Sequence, residues 1–195
     1  MTATSNRCPE APGHAGRAVT VIAALVALCC LGFAVFNIAF EITDHFAGGR
    51  YADHAAALSV MNWLVVCLKV IGAVIALLSI LRRPRVVPAA TMTVLLWGAF
   101  ATLAVYSLGS VVQAVGMATG VTGTADDIDL AGIGYVLFFL VVAAGYGVLA
   151  VSFSRRHGTR TRLAVLGVLG APVVLGLLLV AIPALLTTLE LMPAS

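Results

Sequence analysis

Five uninterrupted apolar runs, at 19–40, 59–81, 89–115, 131–153 and 163–186, dictate what this chain can fold into. Crossing the hydrocarbon core of a bilayer takes about 20 mostly apolar residues at 1.5 Å rise each, and every run is long enough. Hydrocarbon offers no partner to a backbone N–H or C=O, so a crossing segment is either a helix or part of a closed barrel. The alternation of polar and apolar residues that marks a membrane barrel strand is absent; the runs are continuous stretches of Leu, Val and Ala. The sequence therefore predicts an all-α fold, a polytopic membrane bundle of five transmembrane helices.

Composition excludes the competing classes. Of 195 residues, 62% are apolar and 10% charged, against about 45–50% and about 25% in a soluble domain. With a mean hydropathy of +1.11, the chain has too few charges to clothe a soluble enzyme, a disordered chain or a nucleic-acid-binding domain. Residues 18–188 form the expected transmembrane domain, 1–17 a disordered tail without periodicity, and 189–195 a short second tail. The first apolar run, about 22 residues long, exceeds the 7–15 of a signal-peptide core. No Ala-x-Ala follows it, and Leu28 is too large to precede a lipoprotein cysteine at Cys29. It is expected to stay as the first helix.

Arginine fixes the orientation. Arg7 and Arg17 precede the first run, Arg82, Arg83 and Arg85 join the second to the third, and Arg155, Arg156, Arg160 and Arg162 join the fourth to the fifth. The alternate loops hold only Arg50 among basic residues, with Glu41, Asp44, Asp53, Asp126, Asp127, Asp129 and Glu190. Basic loops stay on the cytoplasmic side, so the N-terminus is expected inside, the C-terminus outside, and the protein in a bacterial inner (plasma) membrane. The net charge of +3 then calls for no nucleic-acid partner. Membrane lipids are the expected partners, with anionic headgroups at the Arg-rich cytoplasmic loops, where each arginine gains about 1 kcal/mol.

Few residues carry chemistry. Cys8, Cys29, Cys30 and Cys67 contain no C-x-x-C, so neither a redox motif nor a zinc site is indicated. Lys69 is the most informative position, about 15 Å along the second helix from Ser59, near the bilayer midplane. An ionisable side chain there costs about 2.5–3.5 kcal/mol and normally faces a protein interior or a wet cavity. Asn62, two turns outward, Asn37 on the first helix, and Tyr106, Ser110 and Gln113 on the third are its candidate company. They form either an outward-opening polar pocket with Lys69 at its floor or ordinary interhelical hydrogen bonds. A lone lysine at that depth also invites a second copy of the chain or another membrane protein.

Two further groups have simpler readings. Glu41, Asp44 and His45 share a helical face at i, i+3 and i+4 if the first helix continues outward, and with His54 they could ligate a divalent metal. There is no H-E-x-x-H and no established ligand spacing, and a solvated loop with two incidental Asp-His pairs is the simpler reading. Asp126, Asp127 and Asp129 stand where they would cap the fourth helix. That helix carries Gly132, Gly134, Gly145 and Gly147, with Ala143-x-x-x-Gly147 as a small-xxx-small pair suited to close packing. Pro172, near Gly167 and Gly170, predicts a kink in the fifth.

Leu68-Lys69, Gly72-Ala73, Arg82-Arg83-Pro84-Arg85, Trp97-Gly98 and Tyr106 resemble a family of small multi-pass membrane proteins from high-GC actinobacteria. The likeness covers the second and third helices, about a quarter of the chain. It implies no activity and singles out Lys69 and Trp97.

Five short-looped helices leave no catalytic domain. The expected function is that of a non-enzymatic accessory or small-ligand and lipid-binding subunit, with a ligand near Lys69. The alternative is a small oligomeric transporter or channel component with Lys69 lining the path. No cofactor is indicated. Alkaline phosphatase, active only outside the cytoplasm, should work when fused after Gly120 or Ser195 and stay silent after His157; the reverse pattern would overturn the orientation.

Overall fold

The structure, a computed structural model, describes residues 15–45, 52, 55–81, 87–121 and 130–188. It consists of five helices, α1 (Arg17–Ile42), α2 (Ala55–Leu78), α3 (Ala89–Ala118), α4 (Leu130–His157) and α5 (Thr161–Thr188), with no strand among the described residues. Each is long and apolar enough to cross a membrane. The tail through residue 14, Arg82, Arg83 and Arg85, the acidic group Asp126, Asp127 and Asp129, and the last tail 189–195 lie outside the described residues.

Most helix ends extend past the apolar runs, because a helix persists for as long as its i to i−4 hydrogen bonds find partners. α1 runs on through Glu41 and Ile42, and the Thr43 N–H still donates to the Ala39 carbonyl. α2 starts four residues before Ser59 and ends at Leu78, where the Ser79 hydroxyl turns back to the Ala76 carbonyl at 2.6 Å. α5 continues through Pro172 as one helix.

Lateral order differs from chain order. α1 packs on α2 and α4, α4 also on α3, and α3 on α5, while α2 and α3 touch over a short stretch. α4 buries the largest share of its span and α5 the smallest, so α4 is central and α5 an outer flank. The core is made of Ala23 and Ala27 of α1, Ala73 and Ala76 of α2, Met92 and Leu96 of α3, and Tyr146, Leu149 and Phe153 of α4. Leu28, Val35, Leu166 and Leu169 face outward, as residues in contact with lipid should.

Glycines mark the closest approaches. A Cβ on Gly167 would lie 2.6 Å from the Val94 carbonyl oxygen and 2.9 Å from Trp97 Cβ, and one on Gly98 would lie 2.8 Å from Ala171 Cβ. The α3–α5 seam is thus backbone on backbone. Gly145 admits Val26 of α1, and Gly147 lies against the Phe100 ring of α3, which gives the smooth fourth helix its two neighbours.

Polar contacts fix the other seams. Trp97 Nε1 of α3 donates to Ser154 Oγ of α4 at 3.1 Å. Arg156 Nη2 of α4 donates to the Ser79 carbonyl at 3.0 Å, placing a cation on an orphan carbonyl just beyond the C-terminus of α2, where the helix dipole favours it.

Gly167→Val should drive α3 and α5 apart and cost about 1–3 kcal/mol, the usual range for overpacking. Thermal unfolding in detergent should show a clear loss of midpoint. Gly170→Ala, whose new Cβ meets nothing within 4 Å, should leave it unchanged; equal losses would contradict the seam.

Candidate functional site

Lys69 is the chain's single lysine. Its Cα lies about 21 Å along α2 from Ala55 and about 14 Å from Leu78 at 1.5 Å per residue. Side chains on a helix lean toward its N-terminus, which carries the ammonium toward the Ala55 end. There it meets rings. Lys69 Nζ lies 4.3 Å from the centroid of Phe139 on α4 and 5.0 Å from that of Phe33 on α1.

These two rings belong to a larger aromatic cluster. Phe33 and Phe139 meet edge to face at 5.2 Å, and Phe33 also contacts Tyr135 and Phe138 at 5.8 and 6.0 Å. Tyr106 of α3 reaches Phe139 at 5.0 Å and Tyr135 at 6.4 Å. Three helices therefore contribute rings around one cation. A desolvated cation over an aromatic face gains about 2 kcal/mol, less than the cost of placing the charge there. The rings soften the environment of Lys69 without neutralising it.

The candidate company of Lys69 divides. Tyr106 joins its aromatic surroundings through Phe139. Asn62, 6% exposed, and Asn37, 8% exposed, belong to a separate group where the C-terminal end of α1 meets the N-terminal end of α2. Asn62 Nδ2 donates to the Asn37 carbonyl at 2.9 Å and to Glu41 Oε1 at 2.7 Å. Ser59 Oγ donates to Glu41 Oε2 at 2.7 Å, and Asn37 Nδ2 to the Phe33 carbonyl at 2.7 Å. Ser110 Oγ donates to the Tyr106 carbonyl on its own helix, and Gln113 is exposed. Of the two readings open to these polar residues, interhelical hydrogen bonding describes Asn37 and Asn62.

Glu41 lies in the last turn of α1, four residues after Asn37, with both carboxylate oxygens accepting hydrogen bonds from α2. Asp44 is exposed with φ 48°, in the left-handed region, and the His45 ring stacks on Phe40 with centroids 4.4 Å apart. His54 lies outside the described residues. Among the described residues no three His, Cys, Asp or Glu side chains group to hold a metal.

An apolar groove adjoins Lys69. It measures about 330 Å³ and is lined by Cys29, Gly32, Phe33 and Phe36 of α1 and Tyr135 and Phe138 of α4. Phe33 is common to the groove and to the Lys69 surroundings. Cys30, beside the groove residue Cys29, is buried with its Sγ 3.5 Å from the Tyr146 hydroxyl, and Cys67 is exposed on α2. The described cysteines are all free thiols. Ser107 is fully buried, and its hydroxyl has no hydrogen-bond partner.

Sequence reasoning named Lys69 and Tyr106 but not the rings. Tyr135, Phe138 and Phe139 carry a readable signal, the i, i+3, i+4 spacing of one helical face. Their convergence with Phe33 on Lys69 is a tertiary fact. No protein-family model matches the chain, and no match is found among curated proteins or solved structures.

Asn62→Leu keeps the side-chain size and removes the donor shared by Asn37 and Glu41. It should lower stability by about 1.5–3 kcal/mol, the worth of a hydrogen bond to a charged group, read as a lower thermal midpoint. Gln113→Leu, on an exposed position, should have no such effect; similar midpoints for the two variants would deny the cluster a role in holding α1 to α2.

Proposed function

We propose that this chain is a non-enzymatic accessory or small-ligand-binding subunit of a bacterial inner membrane, of the kind its second and third helices resemble in actinobacteria, and that it holds an amphiphilic or lipid-like ligand against Lys69. The observation that carries this reading is the Lys69 ammonium, set over Phe33 and Phe139 beside an apolar groove and, among the described residues, against no carboxylate. An intramembrane cation kept without a counter-ion is a functional site by default, and a ligand is the simplest source of the missing charge.

The cytoplasmic N-terminus and external C-terminus remain part of the proposal. Arg155, Arg156, Arg160 and Arg162 fall at the α4–α5 connection, and the Arg156 contact with Ser79 brings the end of α2 to the same side. A basic end of this kind supports a cytoplasmic face in contact with anionic lipid. An oligomeric transporter or channel component rests on the same unpaired cation, with Lys69 drawing anions into a path between copies or beside a partner protein.

Mass spectrometry of the protein in native-lipid particles tests the reading directly. A stoichiometric small molecule should accompany the wild type and be lost from Lys69→Met. Bulk lipid alone, identical in both, would reduce Lys69 to a tolerated residue. Anion flux into liposomes that falls in Lys69→Met would favour the transporter instead.

A further inference from the structure

The groove and Lys69 meet at one side chain. Phe33 walls the groove on one side, and its ring centroid stands 5.0 Å from Lys69 Nζ. A volume of about 330 Å³ falls within the range of about 300–1,000 Å³ that small-molecule sites occupy, and the lining is apolar. An ammonium brings three N–H donors and no acceptor. Aromatic faces attract its charge but are weak acceptors. The complement of this arrangement is an apolar tail ending in one small anionic, hydrogen-bond-accepting head.

Depth narrows the head group. Lys69 is rooted about 21 Å from one end of α2 and about 14 Å from the other, well inside a hydrocarbon core about 30 Å thick. A phospholipid phosphate is held at the interface by its own polar substituents, and drawing it to this depth would bury them without partners. A carboxyl group carries no such substituents. A carboxylate set on the Lys69 ammonium accepts its N–H hydrogen bonds, and the resulting pair is neutral overall with no proton transferred.

We infer that Lys69 and the α1–α4 groove together bind a single-chain amphiphilic carboxylate, a long-chain fatty acid, with its head on Lys69 and its tail along Phe36, Tyr135 and Phe138. Phe33 is common to the two halves, lining the groove and lying beside Lys69 Nζ. This inference rests on the reading of Lys69 as a ligand-binding residue. Gly32 offers an independent handle: a Cβ there meets nothing within 4 Å, so a larger side chain fills the groove without meeting the core.

The test uses the full chain in phosphatidylcholine nanodiscs, titrated with oleate, oleyl alcohol and oleoyl lysophosphatidate and read by native mass spectrometry. One oleate per chain is expected, held at least about tenfold more tightly than the alcohol of the same length, as a charge-assisted contact gives. Lys69→Met should erase the difference between oleate and alcohol, and Gly32→Leu should abolish the binding of both while leaving the thermal midpoint unchanged. Oleate bound equally by wild type and both variants is bulk partition and overturns the inference. Lysophosphatidate bound through Lys69 while oleate is not would overturn the carboxylate assignment and leave the ligand-binding reading standing. If no amphiphile depends on Lys69, both fall.

Discussion

Lipid tails are as apolar as leucine, so five hydrophobic helices gain little by exchanging lipid for one another, and their association depends on close packing and a few hydrogen bonds. In this bundle each principal seam has its own device. Gly98 and Gly167 bring α3 and α5 to backbone contact, and Gly145 lets Val26 of α1 into α4. Trp97 and Ser154 tie α3 to α4. Glu41, Ser59 and Asn62 tie α1 to α2. With α1, α3 and α4 fixed in this way, Phe33, Tyr106 and Phe139 come together, and the lysine of α2 has aromatic faces rather than lipid to lie against.

The α1–α2 seam carries two unlike environments in sequence. At the C-terminal end of α1 it holds a hydrogen-bonded group around the Glu41 carboxylate. Two helical turns deeper, about 10 Å along the axis, Lys69 lies among rings. Both Glu41 oxygens are engaged by α2 side chains, and this separation leaves the carboxylate with local partners instead of the lysine. An acid and a base on facing helices thus remain distinct, one with neutral polar partners and the other with neutral aromatic ones.

What the sequence discloses follows from the range of each signal. Apolar length is local, and the five spans were legible from it; their ends were less so, because helix hydrogen bonding continues past the last apolar residue, as at Glu41. That shift changes how Glu41 reads: a loop acid in the sequence becomes a helix residue facing α2. Lys69 was legible because one charge in a long apolar run stands out. The rings around it were not. Aromatic residues are ordinary in a membrane helix; spacing puts Tyr135, Phe138 and Phe139 on one face, but nothing local shows that this face and Phe33 meet Lys69, or distinguishes Phe33 from Phe36. The pairing of Asn62 with Glu41 was hidden for the same reason, since it depends on the register between α1 and α2.

α5 packs on α3 through one glycine-lined seam and buries less of itself than any other helix. It also follows α3 and α4 in chain order. By the time it emerges, α3 and α4 are both complete, and the surface it needs, centred on Gly98, already exists. α5 can therefore dock on a surface that the preceding helices already present, and among the described residues it adds none to the rings around Lys69. The rings around Lys69 come from helices that precede α5 in the chain, so the docking of α5 and the formation of the Lys69 surroundings are separable.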